Sequence, residues 1–208
     1  MDMPNVEAII AFHKRNAPSE KAFQIIYTHC QIVCDIASEL MYTNSLSVDK
    51  ELVKAASLLH DVGYYPLLDT DGYVPKDSTI THGVVGAKLL REAGMPETIV
   101  RIAERHTGIG LAKEYILAAK LPLPARDLVA ETPEEWLILY ADKFHTKFVQ
   151  RRDVHDGLGI GTFVSADGYL RHAARFGADN AARFTALIDQ YGVPDLEQLS
   201  KKYDQPIQ

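Results

Sequence analysis

The stretch Ala-Ala-Ser-Leu-Leu-His-Asp-Val-Gly, residues 55–63, decides the fold of the chain. Small and apolar residues fill its first positions, which is typical of a helix that is buried on much of its surface. Ser47 is suited to cap this helix and Gly63 to end it. The buried face runs directly into an imidazole and a carboxylate, and both groups are costly to bury without partners. The stretch therefore predicts a helix that delivers His60 and Asp61 to partners elsewhere in the chain.

Helical periodicity extends along almost the whole chain, and alternating strand-like patterning is nearly absent. Residues 63–78 and 107–133 are predicted mainly as loops, and the glycine-rich residues 157–161 as a break in the chain. The pattern predicts an all-α protein with a single domain, residues 1–208. The predicted helices cover residues 6–15, 23–42, 48–60, 81–93, 96–106, 111–119, 132–152, 166–176 and 179–191, with a last turn at 194–201.

Charge and composition exclude several classes of protein. The 208 residues, a length that suits one well-buried core, carry 22 Lys and Arg against 28 Asp and Glu. The net charge of −6 argues against a protein that coats nucleic acid. No apolar run is long enough for a membrane span, and the first residues do not resemble a secretory signal. Cys30 and Cys34 are the only cysteines, so no disulfide framework is expected and a cytoplasmic location fits.

Eight histidines are the unusual feature of this acidic composition. Five predicted helices place an imidazole or a carboxylate at or beside an apolar face, where each group needs a partner. Shared metal ions would satisfy these groups together, since imidazole and carboxylate suit Mn, Fe, Co, Ni and Zn. A second His-Asp pair, at 155–156, precedes the glycine-rich loop and is predicted to be exposed and not to bind metal. The candidate ligands are His29, His60, Asp61, His82, His106 and Asp142.

The order of these residues resembles that of the HD-domain superfamily of metal-dependent phosphohydrolases, over roughly residues 29–147. The motifs that support it are residues 55–63, His-Gly-Val-Val-Gly-Ala at 82–87, His-Thr-Gly at 106–108 and Tyr-Ala-Asp-Lys at 140–143. Two further histidines follow the His-Asp pair, and Glu-Thr-Pro-Glu-Glu precedes the last Asp at 131–135. These features are similar to a subgroup that includes HD-type diadenosine tetraphosphate hydrolases and uncharacterised HD-domain proteins.

The resemblance implies an all-α HD-domain helical bundle, with a core of about residues 20–152 and additional C-terminal helices over about 160–203. It also implies how the candidate ligands would be shared between two divalent ions. Fe or Mn is favoured, and Co, Ni, Mg or Zn would also fit. One ion would be held by His29, His60, Asp61 and Asp142, and Asp61 would bridge to a second ion held by His82 and His106.

Such a centre favours phosphate chemistry. Two divalent ions outweigh the charge of two carboxylates and a hydroxide, so the pocket would be positive although the protein is acidic. A metal ion lowers the pKa of a bound water towards about 7, and a metal-bound hydroxide could then cleave a phosphoester or a phosphoanhydride. The expected partner is a small phosphorylated molecule, with a nucleotide or dinucleotide as the leading candidate. The sequence leaves the substrate and the oligomeric state open.

Asp61 and Lys143 are the predicted catalytic residues of this hydrolase. Lys143 follows a candidate ligand directly and could contact phosphate. Lys143, Lys147 and Arg151 repeat at four-residue steps, so they are predicted to share a helix face that leads away from the metals. Lys147 is a candidate substrate-binding residue on that face. A solvated charged face is the alternative for Lys147, and it is the favoured interpretation for Arg151.

Three further candidate substrate-binding residues have two interpretations each. Thr107 adjoins a candidate ligand and could bind phosphate or cap a helix. Arg126 lies in the long segment before the last predicted ligand, which could act as a lid. Tyr64 could stack on a nucleobase or anchor its own loop. Many HD enzymes carry a lysine shortly after the His-Asp pair, where this chain has Tyr64, Tyr65 and Pro66, so phosphodiesterases that require that lysine are less well matched.

Two other functions are open on the sequence. HD-type di-iron oxygenases have four histidines and two aspartates in this order, but they usually carry a lysine a few residues after the fourth histidine. The first lysine after His106 in this chain is Lys113. The other alternative is a non-catalytic nucleotide-binding regulatory module, although all six candidate ligands are present. The remaining histidines are predicted not to bind metal: His13, His145, His155 and His172.

Overall fold

A computed structural model describes residues 3–69, 72–149 and 155–208, with the backbone alone at 76, 148–149 and 155–160. Helices dominate these residues, which confirms the all-α prediction. The α-helices are α1 (Val6–Asn16), α2 (Glu20–Thr43), α3 (Lys50–Leu59), α4 (Lys76–Thr79), α5 (His82–Glu92), α6 (Glu97–Arg105), α7 (Lys113–Ala118), α8 (Pro133–Asp142), α9 (Ala166–Ala174), α10 (Ala178–Tyr191) and α11 (Leu196–Tyr203). A 3-10 helix spans Val62–Leu67, and the strands are β1 (Tyr73–Pro75), β2 (His145–Val149) and β3 (His155–Phe163).

Several helices begin where the sequence offers a side-chain cap. Asn5 caps α1, Ser19 caps α2 and Thr132 caps α8, each by accepting a hydrogen bond from a backbone N–H of the first turn. α3 starts differently from the prediction, because Asp49 and not Ser47 caps it. The Asp49 carboxylate accepts two N–H groups at 3.0 and 3.1 Å, so it satisfies two donors that the helix itself leaves free.

The three strands form an antiparallel sheet in the order β1-β3-β2. β2 begins at His145, opposite Phe163 at the end of β3. Two predictions are wrong here. The helix that was expected to continue to residue 152 ends at Asp142, and the glycine-rich residues 157–161 lie within β3 instead of a loop.

Residues 145–149 form a strand although their periodicity predicted a helix, because they pair with a strand that lies later in the chain. The sequence of β2, His-Thr-Lys-Phe-Val, is rich in β-branched and aromatic residues, which suit a strand. Pairing with β3 satisfies its backbone N–H and C=O groups, so tertiary context decides the local structure. Alternate side chains of a strand point the same way, and His145 and Lys147 are both buried.

The buried core runs along α2, which packs against α3 and α8. The C-terminal helices join this core through Tyr140 of α8. Its ring lies 5.5 Å from the ring centroids of Phe184 and Tyr191, and its hydroxyl donates to the Gly192 carbonyl at 2.6 Å. The helices after the sheet therefore cover one side of α8, the helix that ends at a candidate ligand. No helix among the described residues is long and apolar enough to cross a membrane.

Candidate metal centre

Six side chains from separate parts of the chain converge on one buried point. α2 supplies one from its middle, the turn after α3 supplies the His-Asp pair, and α5, α6 and α8 each supply one at or next to an end. Their donor atoms form two groups, and within each group the atoms lie within 4.8 Å of one another. The first group is His29, His60, Asp61 and Asp142, and the second is Asp61, His82 and His106. Both groups contain Asp61.

A close contact between the 3-10 helix and α5 joins the two groups. A Cβ at Gly63 would lie 1.9 Å from the carbonyl oxygen of His82 and 2.4 Å from the backbone nitrogen of Gly86. Any side chain at position 63 would therefore push α5 away from the His-Asp pair. The contact places His82 beside Asp61, with 3.5 Å between Nε2 and Oδ1.

Backbone carbonyls orient three of the four candidate imidazoles. Nδ1 of His60, His82 and His106 lies 2.7, 2.6 and 2.8 Å, respectively, from the carbonyl oxygen three residues earlier. A carbonyl oxygen only accepts, so each Nδ1 carries the hydrogen and each Nε2 presents a lone pair. A hydrogen bond from the non-ligating nitrogen is the usual arrangement for a histidine that binds a metal ion.

These lone pairs converge on the Asp61 carboxylate, which is fully buried. Neither carboxylate oxygen forms a hydrogen bond with a described residue. Nε2 of His29 lies 2.9 Å from Oδ2, Nε2 of His106 lies 3.4 Å from Oδ1, and Nε2 of His82 lies 2.8 Å from that of His106. Lone pairs and a carboxylate repel one another at such distances, whereas a cation between them attracts all of them. Four imidazoles and two carboxylates arranged in this way fit divalent metal ions.

Burial and charge set the protonation states of the group. Burial lowers the pKa of His82 to about 3 and also lowers the pKa of His106, so both imidazoles are neutral near pH 7. Burial opposes the charge on Asp61, but the positive charge of Lys147 outweighs it and holds the pKa of this carboxyl well below its usual range. Neutral imidazole and ionised carboxylate are the forms that bind metal.

The Glu-Thr-Pro-Glu-Glu segment at 131–135 joins two helices of the site. The buried Glu135 accepts hydrogen bonds from Arg101 Nε at 3.0 Å and from the backbone N–H of Glu131 at 2.6 Å. Arg105 Nη1 lies 2.8 Å from Glu131 Oε1 and 3.4 Å from Glu135 Oε2. α6 is followed directly by His106, and α8 ends at Asp142. Because the network joins the two helices, it fixes the distance between these two candidate ligands.

Lys147 lies inside the site, and this corrects the prediction of a helix face that leads away from the metals. The residue belongs to β2, so it does not share a helix face with Lys143. Its ammonium contacts the carboxylate of Asp61 as an ion pair and lies 4.3 Å from the ring centroid of Tyr64. Arg151, the third residue of the predicted face, lies outside the described residues.

Lys143 also points into the site, as its sequence position next to a candidate ligand suggested. Its ammonium donates to Oδ2 of Asp142 at 2.7 Å and to the carbonyl oxygen of His106 at 3.0 Å. Lys143 and Lys147 are each 6% exposed. Two buried cations thus accompany the two carboxylates of the donor groups.

The other three candidate substrate-binding residues have different surroundings. Tyr64 is stacked on His82, with ring centroids 4.3 Å apart and an interplanar angle of 18°, a contact that holds the imidazole in place. Thr107 lies where α5 and α6 touch. Arg126 makes two hydrogen bonds to the buried Glu104, at 2.7 and 3.0 Å, and ties the 107–133 segment to α6.

His145 was predicted not to bind metal, but the structure places it beside a candidate ligand. It belongs to neither donor group, but its Nδ1 lies 2.7 Å from Nδ1 of His29. Sequence reasoning missed it because residues 145–149 were read as helix. The signal that could have found it is the alternation of polar residues, His145 and Lys147, in a segment of β-branched and aromatic residues.

The remaining histidines do not enter the donor groups. His13 is buried and bonded at both ring nitrogens, to the Tyr65 hydroxyl at 2.6 Å and the Leu58 carbonyl at 2.7 Å. Burial lowers the pKa of His13 to about 4. His172 lines a cleft beside the site. The side chains of the second His-Asp pair, at 155–156, lie outside the described residues.

A cleft of about 1580 Å³ opens from the candidate metal centre. Three arginines of α9, α10 and their connection line it. None of their guanidinium groups forms a hydrogen bond or an ion pair within the described part of the chain. Two exposed aromatic side chains, Tyr115 and Phe176, also line it, as do Asp77 and Asp179. The cationic lining consists of Lys120, Lys143, Lys147, Arg171, Arg175 and Arg183.

Residues 26–147, more than half of the chain, match the family model of the HD domain. The chain belongs to the HD domain family. The matched range contains all six candidate ligands and ends at the lysine of β2 that contacts Asp61. The family assignment confirms the resemblance on which the sequence interpretation was based.

Curated proteins that are similar to part of this chain include one named as uncharacterized and two named as methyltransferases. The chain is 40% identical to the uncharacterized protein MJ0778 of Methanocaldococcus jannaschii over 134 residues, which covers 62% of this chain and 72% of that protein. It is 37% identical over 124 residues to a tRNA (cytidine(56)-2'-O)-methyltransferase of Picrophilus torridus, and 35% identical over 121 residues to that of Thermoplasma volcanium. The alignments cover 60% and 58% of this chain but only 32% of each methyltransferase, so the similarity concerns a third of their length.

A solved structure shows the same fold. The HD domain of the L. monocytogenes phosphodiesterase PgpH, crystallised with cyclic-di-AMP, superposes with a TM-score of 0.50. The alignment covers 96% of this chain and 99% of that domain, at 18% sequence identity. At this identity the similarity establishes the fold and leaves the chemistry to the residues of this chain.

Proposed function

We propose that this HD-domain protein is a metal-dependent phosphohydrolase that cleaves a phosphoester or phosphoanhydride of a nucleotide or dinucleotide. The observation that carries the proposal is the buried Asp61 carboxylate, shared by two donor groups and surrounded by imidazole lone pairs. Asp142 of the first group borders a large cleft with a cationic lining, and so do Lys143 and Lys147 beside the groups. A cluster of this kind attracts phosphate, although the whole chain has a net charge of −6.

His29, His60, Asp61 and Asp142 would hold one divalent ion, and Asp61, His82 and His106 a second. Fe or Mn is favoured by the mixed imidazole and carboxylate set, and Co, Ni, Mg or Zn would also fit. When bound, the ions supply Lewis acidity to a phosphoryl group and lower the pKa of water at the site. The remaining chemistry is carried by the side chains around the donor groups.

The two buried lysines are suited to act on the phosphoryl group itself. Lys143 is held in place by Asp142 and by the carbonyl of His106, and its ammonium lines the cleft. Lys147 reaches the same region from β2. Ammonium groups that are already oriented stabilise negative charge that develops on phosphate oxygens during cleavage, without reorganisation of solvent. Many HD enzymes carry a lysine shortly after the His-Asp pair, where this chain has residues 64–66. Lys147 lies beside Tyr64, so it can provide a cation in this region.

The cleft supports a substrate larger than a simple phosphate ester. Ligand sites for small molecules usually enclose about 300–1000 Å³, and this cleft measures about 1580 Å³. Arg171, Arg175 and Arg183 provide cations for further phosphate groups, and the exposed rings of Tyr115 and Phe176 can stack on a base. This combination of cations and aromatic rings suits a nucleotide.

A hydrolysis screen tests the proposal directly. The full chain is incubated with Mn, Fe, Co, Ni, Mg or Zn and with nucleoside mono- and triphosphates, dinucleoside polyphosphates or cyclic-di-AMP, and products are separated by chromatography. We expect metal-dependent turnover of at least one compound by the wild type and by Asp189→Asn, an exposed Asp on α10. Asp61→Asn should lose turnover by at least about a hundredfold, in line with the loss of other groups that stabilise transition-state charge.

Four outcomes contradict the proposal. The first is the absence of hydrolysis with every metal and compound, and the second is full activity in Asp61→Asn. Nucleotide binding without turnover would instead indicate a regulatory module. Consumption of O₂ with an organic substrate by an iron-loaded sample, in place of phosphate release, would indicate a di-iron oxygenase.

A further inference from the structure

His29 differs from the other candidate ligands in what its second nitrogen contacts. The other three imidazoles each meet a backbone carbonyl through Nδ1, but Nδ1 of His29 meets Nδ1 of His145 at 2.7 Å. The opposite nitrogen of His145, Nε2, lies 2.6 Å from Oε1 of Gln205. A chain of three side chains therefore connects the candidate metal centre with the C-terminal segment that follows α11.

Gln205, the outermost of these three side chains, determines the direction of the hydrogen bonds between them. Oε1 of Gln205 only accepts, so Nε2 of His145 carries a hydrogen, and Nδ1 of a neutral His145 is then an acceptor. His29 must donate from its own Nδ1, which leaves Nε2 with a lone pair. This is the tautomer that can bind a metal ion. Nε2 also lies 2.9 Å from Asp61 Oδ2 and 3.0 Å from Asp142 Oδ1, and these oxygens only accept, so without a cation they favour a hydrogen on Nε2 and Gln205 opposes them.

The opposite orientation of the Gln205 amide reverses both hydrogen bonds between these three side chains. An amide NH₂ facing His145 would donate to Nε2, so His145 would donate from Nδ1 to His29. His29 would then carry its hydrogen on Nε2 and could not bind a metal ion through that atom. The state of the candidate ligand thus depends on which atom of Gln205 faces the imidazole.

The surroundings hold Gln205 and His145 closely together. A Cβ at Gly161 would lie 2.4 Å from Nε2 of His145 and 2.5 Å from Oε1 of Gln205, so the pair packs directly against this glycine of β3. The tail itself is fixed to the end of β3, since Phe163 N–H donates to the Pro206 carbonyl at 2.8 Å. Hydrogen bonds on both sides of residue 205 therefore limit how far it can move.

We propose that Gln205 and His145 are positioning residues that set the tautomer of His29, so that the C-terminal segment completes the metal centre. This inference rests on the proposed metal site but not on the reaction. It assigns a role to the last residues of the chain, which lie beyond the range that matches the family model. Neither residue would bind the metal ion itself.

The tautomer of His29 can be measured in the metal-free full-length chain by ¹⁵N–¹H correlation of the imidazole nitrogens, with His29→Gln to assign its signals. In the metal-free chain the carboxylates of Asp61 and Asp142 favour a hydrogen on Nε2 and Gln205 favours one on Nδ1, so we expect the wild type to show both tautomers of His29. Gln205→Leu should show a smaller share of the Nδ1-protonated form. The inference is overturned if wild-type His29 shows no Nδ1-protonated form, or if Gln205→Leu leaves the share of that form unchanged.

Calorimetric titration of the full chain with Mn²⁺ provides a second readout. Loss of a hydrogen-bond partner behind a metal ligand typically weakens metal binding about 10–100-fold, and we expect this of Gln205→Leu. Gln205→Glu keeps an acceptor at the same place and should bind Mn²⁺ like the wild type. Gln198→Leu, the same change at an exposed position of α11, is the matched control and should also bind like the wild type.

Circular dichroism of each variant separates a local effect from misfolding. If Gln205→Leu unfolds, Gln205→Glu decides the question, because an acceptor there must restore both the fold and the affinity. Unchanged Mn²⁺ affinity in a folded Gln205→Leu contradicts the inference, and so does a wild type that binds no Mn²⁺. The two proposals can fail separately. If Gln205→Leu shifts the tautomer of His29 and weakens Mn²⁺ binding, but the wild type hydrolyses no phosphate compound, the proposed reaction is contradicted and this inference stands.

Discussion

Two histidines of the site are oriented by the ends of the helices that they follow. The last carbonyl groups of a helix have no partner within that helix. Ser57 and Ala103 lie in the last turns of α3 and α6, and their carbonyls accept the Nδ1–H groups of His60 and His106. A histidine at the end of a helix is thus held with Nε2 directed away from the backbone, towards the centre.

Substitution of Lys147 tests its role in catalysis. In Lys147→Met the side chain keeps its approximate volume but loses its charge, so phosphate oxygens lose an oriented cation. We expect kcat to fall about a hundredfold, while Mn²⁺ binds no more weakly, because the lysine no longer competes for Asp61. Steady-state kinetics and metal titration measure the two effects. Lys88→Met, at an exposed site on α5, should behave like the wild type, and unchanged kcat in Lys147→Met would exclude a catalytic role.

The lowered pKa of His13 allows a prediction of how the stability of the protein depends on pH. The pKa of this buried imidazole is lowered from 6.5 to about 4 in the folded state. Below pH 6.5 the unfolded chain takes up a proton that the folded chain does not, so stability falls as pH falls towards 4. One such group contributes about 1.4 kcal/mol per pH unit within this window. Urea unfolding at several pH values gives the slope of unfolding free energy against pH, and this slope should be smaller by about that amount in His13→Gln than in the wild type. Equal slopes in the two proteins would contradict the lowered pKa of His13.

The structure brings together the six residues that the sequence predicted as ligands, but several residues that support them were misjudged. The candidate ligands lie at helix ends or on a helix face, where local motifs and helical period are informative. Lys147 and His145 reach the site from a strand whose pairing with β3 no local pattern showed, so their directions were misjudged. Gln205 enters from the opposite end of the chain, and only the packing of the C-terminal segment reveals it.

At the scale of elements, the ion-pair network between α6 and α8 sets the spacing of two ligand-bearing helices. The sequence predicted the start of α8 from Thr132 and Glu135, and Thr132 does cap the helix. Glu135 does more than complete a cap, because it also binds Arg101 of α6. A contact between two helices depends on how they pack, which the local sequence does not contain.

Glu135→Ala tests this network. The change removes a buried acceptor, leaves the Glu131 N–H without its partner and leaves Arg101 and Arg105 paired with Glu131 alone, so we expect a loss of about 1–3 kcal/mol in the free energy of unfolding. Urea denaturation measures it. Glu92→Ala removes an exposed pair on α5, 3.8 Å in length, and should change stability by less than about 0.5 kcal/mol. Equal losses of unfolding free energy in Glu135→Ala and Glu92→Ala would show that this network does not hold α6 and α8 together.

At the scale of the whole molecule, one apolar cluster includes residues from α1 to α11. Phe184 of α10 is fully buried against α8, and the final residues pair with β3. The sequence predicted helices in both the HD core and the C-terminal part, and it predicted one domain. It could not show that the C-terminal part packs directly on the helix that carries Asp142.

This packing predicts a single cooperative unfolding transition. Trp136 is the only tryptophan of the chain and lies in α8, so its fluorescence reports on the helix where the two parts meet. Its transition in urea should coincide with that of far-ultraviolet circular dichroism. Phe184→Ala should lower both midpoints together, by about 3–5 kcal/mol in unfolding free energy. Two separate transitions would show that the C-terminal helices form an independent unit.

The central claim is that two divalent ions share Asp61, and the number of ions bound per chain tests it most directly. Mn²⁺ is titrated calorimetrically into the metal-free wild type, His82→Ala and the control His172→Ala, whose imidazole lines the cleft outside both donor groups. We predict two ions for the wild type and for His172→Ala, and one for His82→Ala, because His82 belongs only to the second group. No Mn²⁺ bound by the wild type, or the same number bound by His82→Ala, would contradict the account.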